Sequence, residues 1–429
     1  MRSLRFLPAA AASLLLLAAC GGSSAPASSA PPPASSAAPK PASSAPAASS
    51  APASAKPAAS SAAASAQPAA SASVAPTATT LPVVAADTST VTLNKIAIPP
   101  IAGKTLSADI LEIDQQAHLL YLTDRTSGGI DIFDVSTPTA KFVKSVPVPG
   151  GGTNGVTIAK NVNKVLAGSN DSTVSIIDIN PSSPTVNTVI ATLNTGGKKR
   201  ADETDYDPNT KKMMVANSDD QFVTIIDMDK NTIEKKIDLP GGGIEQPRYN
   251  PSDKFMYLTG SGDNVVYQFD MTKDTMVKKF DVVDKCNPNG NAINPTLNIA
   301  LLDCSSTAQP QHFVIWDLKA GKVASTIENA GSGDAAIYDA KADKFFATAH
   351  HYFRGAQMAI VSGAGKFITN VPTDVGSHGV AYDETNNVVY TQDARPNEAA
   401  LFSFVVPSGS AAAGAAAKPA ASAAAKPSA

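Results

Sequence analysis

The chain has 429 residues, 43% of them hydrophobic and 17% charged, with 34 basic against 37 acidic side chains. No acidic residue occurs before Asp87 or after Pro407, and six basic ones (Arg2, Arg5, Lys40, Lys56, Lys418, Lys426) lie in those flanks, so the middle segment sets 28 basic against 37 acidic residues, a balance of −9. That balance argues against a nucleic-acid groove, and three cysteines outside any CxxC or CxxCH pattern give no support to attached haem or a thiol-redox site.

In chain order, residues 1–19 place two arginines before an apolar run, Phe6 to Leu17, that is too short to cross a bilayer as a permanent helix. The run ends Leu17-Ala18-Ala19-Cys20 and is similar to a bacterial lipoprotein signal. The resemblance implies cleavage before Cys20 and lipidation of that residue; Gly21 in place of Asp implies the outer membrane, facing periplasm or exterior. The alternative is an ordinary secretory signal with an incidental cysteine. Residues 20–86 are Ala, Ser and Pro almost throughout, with Lys40 and Lys56 the only charges before Asp87. Too few large side chains are present to offset the entropy of ordering, so the segment is expected to be a disordered tether spanning about 40 to 50 Å. The tail, 407–429, has the same composition and the same expectation.

Residues 87–406 repeat. Aligned on a polar turn after the first strand of each unit, the anchors are Asp114, Ala159, Asp207, Asn250, Asn294, Asp339 and Asp383, spaced 45, 48, 43, 44, 45 and 44 residues apart. Each unit reads as four short strands (a to d), and four-stranded units with a period in the forties indicate propeller blades. The seventh unit stops after strand c at Val405-Val406, while the stretch Lys95-Ile96-Ala97-Ile98-Pro99 matches the d strand Lys236-Ile237-Asp238-Leu239-Pro240 and precedes the first a strand. The expected fold is therefore an all-β, seven-bladed β-propeller whose last blade is completed by an N-terminal strand, which removes an unpaired edge. Asn154-Gly155-Val156 with Val174-Ser175-Ile176-Ile177-Asp178, and His378-Gly379-Val380-Ala381-Tyr382-Asp383 with Val389-Tyr390, resemble the repeat of YVTN-family (YncE-like) propellers. The resemblance implies the fold but no one chemistry, since such propellers include binding proteins, lactonases and quinoprotein subunits.

Strand a of a propeller lines the central channel and starts at the top face. Five residues before each anchor stand Asp109, Asn154, Asp202, Glu245, Asn289, Asp334 and His378, all polar, which predicts an oxygen-rich ring suited to a small ligand or to Ca²⁺; a hydrated rim is the plainer alternative. In the b–c loop of blade 6, His350 is a candidate metal ligand with Asp334 and His378. Its neighbours His351, Tyr352 and Arg354 are candidates for contacting a partner protein, or Tyr352 and Phe353 pack on the next blade. If Ile293 faces about Asn298 across the first hairpin of blade 5, Cys286 comes within one residue of facing Cys304, and a disulfide is geometrically allowed. The aspartates ending strand c (Asp134, Asp178, Asp227, Asp270, Asp317) read as turn formers, and Trp316 as core. The literal GxGxxG of Gly150 to Gly155 leads into a strand and offers a pyrophosphate no helix. Gly196 to Arg200 is a basic loop, read as solvated charge with anion binding the alternative. The expectation is a lipid-anchored, monomeric propeller that binds a partner protein or small ligand at its channel mouth without catalysis of its own. A metal-dependent hydrolase such as a lactonase, with His378 or His350 as base, is the competing class.

Overall fold

The computed structural model describes residues 88–99, 104–283, 285–393 and 400–408. The expected signal peptide, the lipidation of Cys20, the tether and almost all of the tail lie outside them. Twenty-eight strands form seven four-stranded antiparallel sheets, six of them running a-b-c-d in sequence order. In the seventh, the strand Asn94–Ala97 pairs outside Ala400–Val405, with Ile96 opposite Leu401 and Lys95 opposite Phe402. The chain is a seven-bladed β-propeller closed through its N-terminal strand, and among the described residues only two single-turn 3₁₀ helices interrupt the strands.

Local chemistry explains the repeat. In six of the seven units, Ala159 excepted, the anchor side chain accepts hydrogen bonds from the turn that follows, as Gln116 N to Asp114 Oδ1 (3.1 Å), Asn209 N to Asp207 Oδ1 (2.9 Å) and Thr385 N to Asp383 Oδ1 (2.8 Å). Four residues beyond each anchor the backbone turns left-handed, at His118, Asn163, Lys211, Lys254, Asn298, Asp343 and Asn387, a conformation that Asn and Asp tolerate best among non-glycine residues. The aspartates that end strand c cap their own turns, for example Ser136 N to Asp134 Oδ1 (2.8 Å) and Ala320 N to Asp317 Oδ1 (2.8 Å).

Neighbouring blades pack sheet on sheet, and the core lies between them. Ile96, Ile98, Leu120, Leu122, Phe133, Tyr390 and Leu401 form one cluster joining the closing blade to blade 1, while Trp316 is fully buried against Phe280. Polar stitches reinforce the seam: Gln115 Nε2 donates to Tyr382 O (2.7 Å) and Glu384 N to Gln115 Oε1 (3.1 Å). The chain then reaches past the closing blade to blade 6, where Ser89 N donates to Asn370 O (2.8 Å).

The disulfide between Cys286 and Cys304 is formed, with Cα atoms 4.5 Å apart. The register differs from the expected one by two residues: Ile293 faces Ala300, not Asn298, and a bulge between Pro288 and Asn291 leaves Pro288 opposite Cys304. Cys286 thus bridges from just beyond the ladder.

Candidate functional site at the channel mouth

Bulges place the ring. In blades 1, 2, 4 and 5 the a–b pairing skips between Ala108 and Leu111, Thr153 and Val156, Ile244 and Pro247, and Pro288 and Asn291. The first skipped residue of each is Asp109, Asn154, Glu245 and Asn289, and a bulge re-aims such a side chain away from the ladder. Asp202, Asp334 and His378 precede the first paired residue of their strands. Six of the seven residues, Asn154 excepted, line one cavity of about 430 Å³ at the top of the channel.

Asn154 stands behind the wall. It is fully buried, receives Arg125 Nε on its Oδ1 (2.8 Å) and donates to Ala201 O (3.1 Å), so it orients Arg125. Arg125 in turn pairs with Asp109. Arg200 Nε lies 3.1 Å from Asp202 Oδ2, while the backbone of Lys198 and Lys199 donates to Asp220 (2.7 and 2.8 Å). The basic loop is therefore folded onto acidic partners of its own chain.

His378 Nδ1 lies 3.1 Å from Asp334 Oδ2 and 3.2 Å from Asp109 Oδ1. Burial alone would strip its proton, but the two carboxylates override it and push the imidazole up to about 10. Burial would likewise raise Asp334, yet the hydrogen bond and charge of His378, with Asn289 Nδ2 donating at 3.0 Å, hold it well below the usual carboxylate range. These are the only three groups among the described residues with ligand atoms within 4.8 Å of one another. His350, expected in the metal set, is not among them; its ring centroid is 5.8 Å from that of His378, burial pushes it down to about 4, and its buried Nδ1 meets no donor or acceptor. With its proton in place, Nδ1 of His378 donates to both carboxylates and has no lone pair for a metal or for general-base work.

The b–c loop of blade 6 forms wall more than docking surface. His351 is exposed and lines the mouth, its ring centroid 4.1 Å from that of His350 with the two planes tilted by 49°. Tyr352, read from sequence as a partner contact, is only 4% exposed, sits in the core of blades 5 and 6, and donates its hydroxyl to Glu328 O (2.9 Å). The Arg354 guanidinium lies 5.2 Å from the Phe353 ring centroid.

Sequence reasoning missed Glu203. It lines the same cavity, is 5% exposed, and among the described residues its carboxylate has no hydrogen-bond or ion-pair partner. A signal was present: one residue after the ring position, the blades read Ile110, Gly155, Glu203, Gln246, Gly290, Ala335 and Gly379. A Cβ at Gly155 would stand 2.2 Å from Asp202 O, and one at Gly379 2.3 Å from Asp109 O, so the column is pressed against the next blade. A glutamate there has only the channel to enter. Burial, first, and then the surrounding carboxylates raise Glu203 and Glu245 well above the ordinary carboxylate range, and burial pushes Asp202 up to about 7. Below the mouth a second cavity of about 250 Å³ contains Glu112, Asp205 and Arg248.

Fold and site together define a seven-bladed β-propeller with an acidic, polar-walled channel mouth. Neither the family models nor the curated proteins compared with the chain match it, so the YVTN likeness stays a resemblance of repeat residues.

Proposed function

We propose that the protein is a binding propeller that captures a small, water-soluble ligand at its channel mouth and performs no chemistry of its own. In this reading Cys20 carries lipid, and residues 20–86 let the monomeric propeller range outside the cytoplasm from an outer-membrane anchor. The observation that carries it is Glu203, 95% buried, which lines the cavity with no donor to it among the described residues, so that its carboxyl is left for a ligand to engage and can be charged there at low cost only when the ligand pairs with it. The volume and converging polar groups suit a small-molecule site. The test is thermal melting of the purified chain against a panel of small polar compounds, beside Glu203→Gln. A ligand at 100 times its Kd adds about 2.7 kcal/mol, so at least one compound is expected to raise the melting temperature of the parent and not of the variant. If every shift survives Glu203→Gln, the mouth is not the site.

A second reading, a metal-dependent hydrolase, draws on Asp109, Asp334 and His378, whose geometry would suit a divalent ion such as Ca²⁺ or Zn²⁺ once His378 gave up its proton. It requires metal in the purified protein at near one equivalent and a lowered melting temperature after chelation.

A further inference from the structure

The mouth's own inventory narrows the ligand. Among the described residues five carboxylates line it (Asp109, Asp202, Glu203, Glu245, Asp334) against three cationic groups, Arg125, Arg200 and His378. Arg125 is paired with Asp109, Arg200 lies within ion-pair distance of Asp202 and Asp219 without a hydrogen bond from its Nε, and His378 is paired with Asp334 and Asp109. Among the described residues Glu203 and Glu245 make no hydrogen bond or ion pair, the opposing charges that act on them being Arg248 and Arg200, and Glu203 is almost wholly withdrawn from bulk water while open to the cavity. What fills this part of the site must bring positive charge and N–H or O–H donors.

Three features select among cations. Bare metal ions need ligand atoms converging to a little over 2 Å from one point, yet the one convergent trio among the described residues is Asp109, Asp334 and His378, already satisfied by one another and by Arg125; Glu203 and Glu245 lie outside it. Quaternary ammonium ions are held by aromatic faces, and among the described residues no Phe, Tyr or Trp lines the cavity. Val375 is the one apolar side chain in the wall among the described residues, so aromatic or branched ligands gain little from burial there. A primary ammonium offers three donors to carboxylate acceptors at ordinary N–H···O distance, and a volume of about 430 Å³ leaves room for a short flexible chain behind it.

We infer that the ligand carries a primary ammonium group seated on Glu203 and Glu245, and that it belongs to the class of small, linear aliphatic amines and diamines. This rests on the reading of the mouth as a small-ligand site.

The test is isothermal titration of the full chain at physiological ionic strength with putrescine, spermidine, tetramethylammonium, CaCl₂ and ZnCl₂. Putrescine or spermidine is expected to bind, tetramethylammonium to bind at least tenfold more weakly, and Glu203→Gln and Glu245→Gln each to weaken the amine about tenfold or more, with circular dichroism showing both variants folded. Equal binding of tetramethylammonium would reduce the effect to unspecific charge and overturn the inference. So would amine binding that both folded variants retain. If Ca²⁺ or Zn²⁺ binds in a manner lost with Glu203→Gln and no amine does, the ammonium assignment falls and the small-ligand reading stands. If no probe binds and the wider melting panel is also silent, both fall.

Discussion

Replacing Glu112 by Gln should stabilise the protein, by an amount that grows with pH. Glu112 projects from the first strand of blade 1 into the lower channel, where its Oε2 accepts Ile158 N (3.0 Å). Burial, then the charge of Asp205, push its carboxyl up to about 8, against the pull of the Ile158 N–H and Arg248 in the other direction. A folded-state value above the unfolded one means that, between about 4.5 and 8, the native chain keeps a proton the unfolded chain has lost. Stability therefore falls as pH rises through that window and levels off above it. At 1.36 kcal/mol per pH unit the ceiling is about 5 kcal/mol. Glu112 is only part-buried and meets channel water, which screens its charge, so about 2 kcal/mol is the expected size. Glutamine keeps an acceptor for Ile158 and never ionises. Near pH 5 parent and variant should melt together; at pH 9 the variant should melt about 4 °C higher, at about 2 °C per kcal/mol for a domain of this size. Scanning calorimetry at unit steps from pH 5 to 9 decides it. Parallel profiles, or a variant that melts lower at pH 9, would refute the placement of this carboxyl in a desolvated, acid-crowded channel.

Two further outcomes follow from how the blades are joined. Gln246 Oε1 accepts Asn291 N (2.7 Å) and Ala336 N (3.2 Å), tying blade 4 to blades 5 and 6; Gln246→Leu leaves both buried N–H groups unsatisfied and should cost about 3 kcal/mol, read as a lower urea midpoint at unchanged slope. Ile96→Ala in the closing strand, where the side chain is 8% exposed against Leu401 and its neighbours, should cost about 2 to 3 kcal/mol, whereas a change within 0.5 kcal/mol would mean that the ring does not depend on that strand.

The architecture was legible because its signals are local and recur seven times. Polar anchors mark a hairpin whose turn chemistry repeats, and counting five back from each names the residue that a bulge or strand start turns toward the mouth. Closure was legible because Lys95 to Pro99 resembles other d strands. The occupancy of the site was less so. Pairing Arg125 with Asp109 joins a b–c loop to the neighbouring a strand, and pairing Arg200 with Asp202 folds a loop that looks solvated in sequence. The exposed-loop reading of Tyr352 failed for a related reason: a tyrosine between histidine and phenylalanine gives no hint that Glu328 O waits 2.9 Å from its hydroxyl.

The repeat itself explains why a site sits where it does. Seven equivalent blades would make a symmetric mouth, and a symmetric ring of like charge would repel itself. This chain breaks the symmetry in two places. On one side, His378 with Asp109 and Asp334 forms a self-satisfied cluster in which the protein supplies the cation. On the other, blade 3 carries acidic side chains at two successive positions, Asp202 and Glu203, and blade 4 adds Glu245; among the described residues Arg200 pairs with Asp202, and the charge of Arg248 acts on Glu203 from a greater distance. The first arrangement fixes the walls; the second leaves acceptors open. Because glycine or another small residue fills the Glu203 column in most blades and presses close to the next one, the glutamate does not contribute to blade packing there. In the empty fold burial favours the protonated form of this carboxyl, and in the proposed complex a bound cation would take the place of that proton.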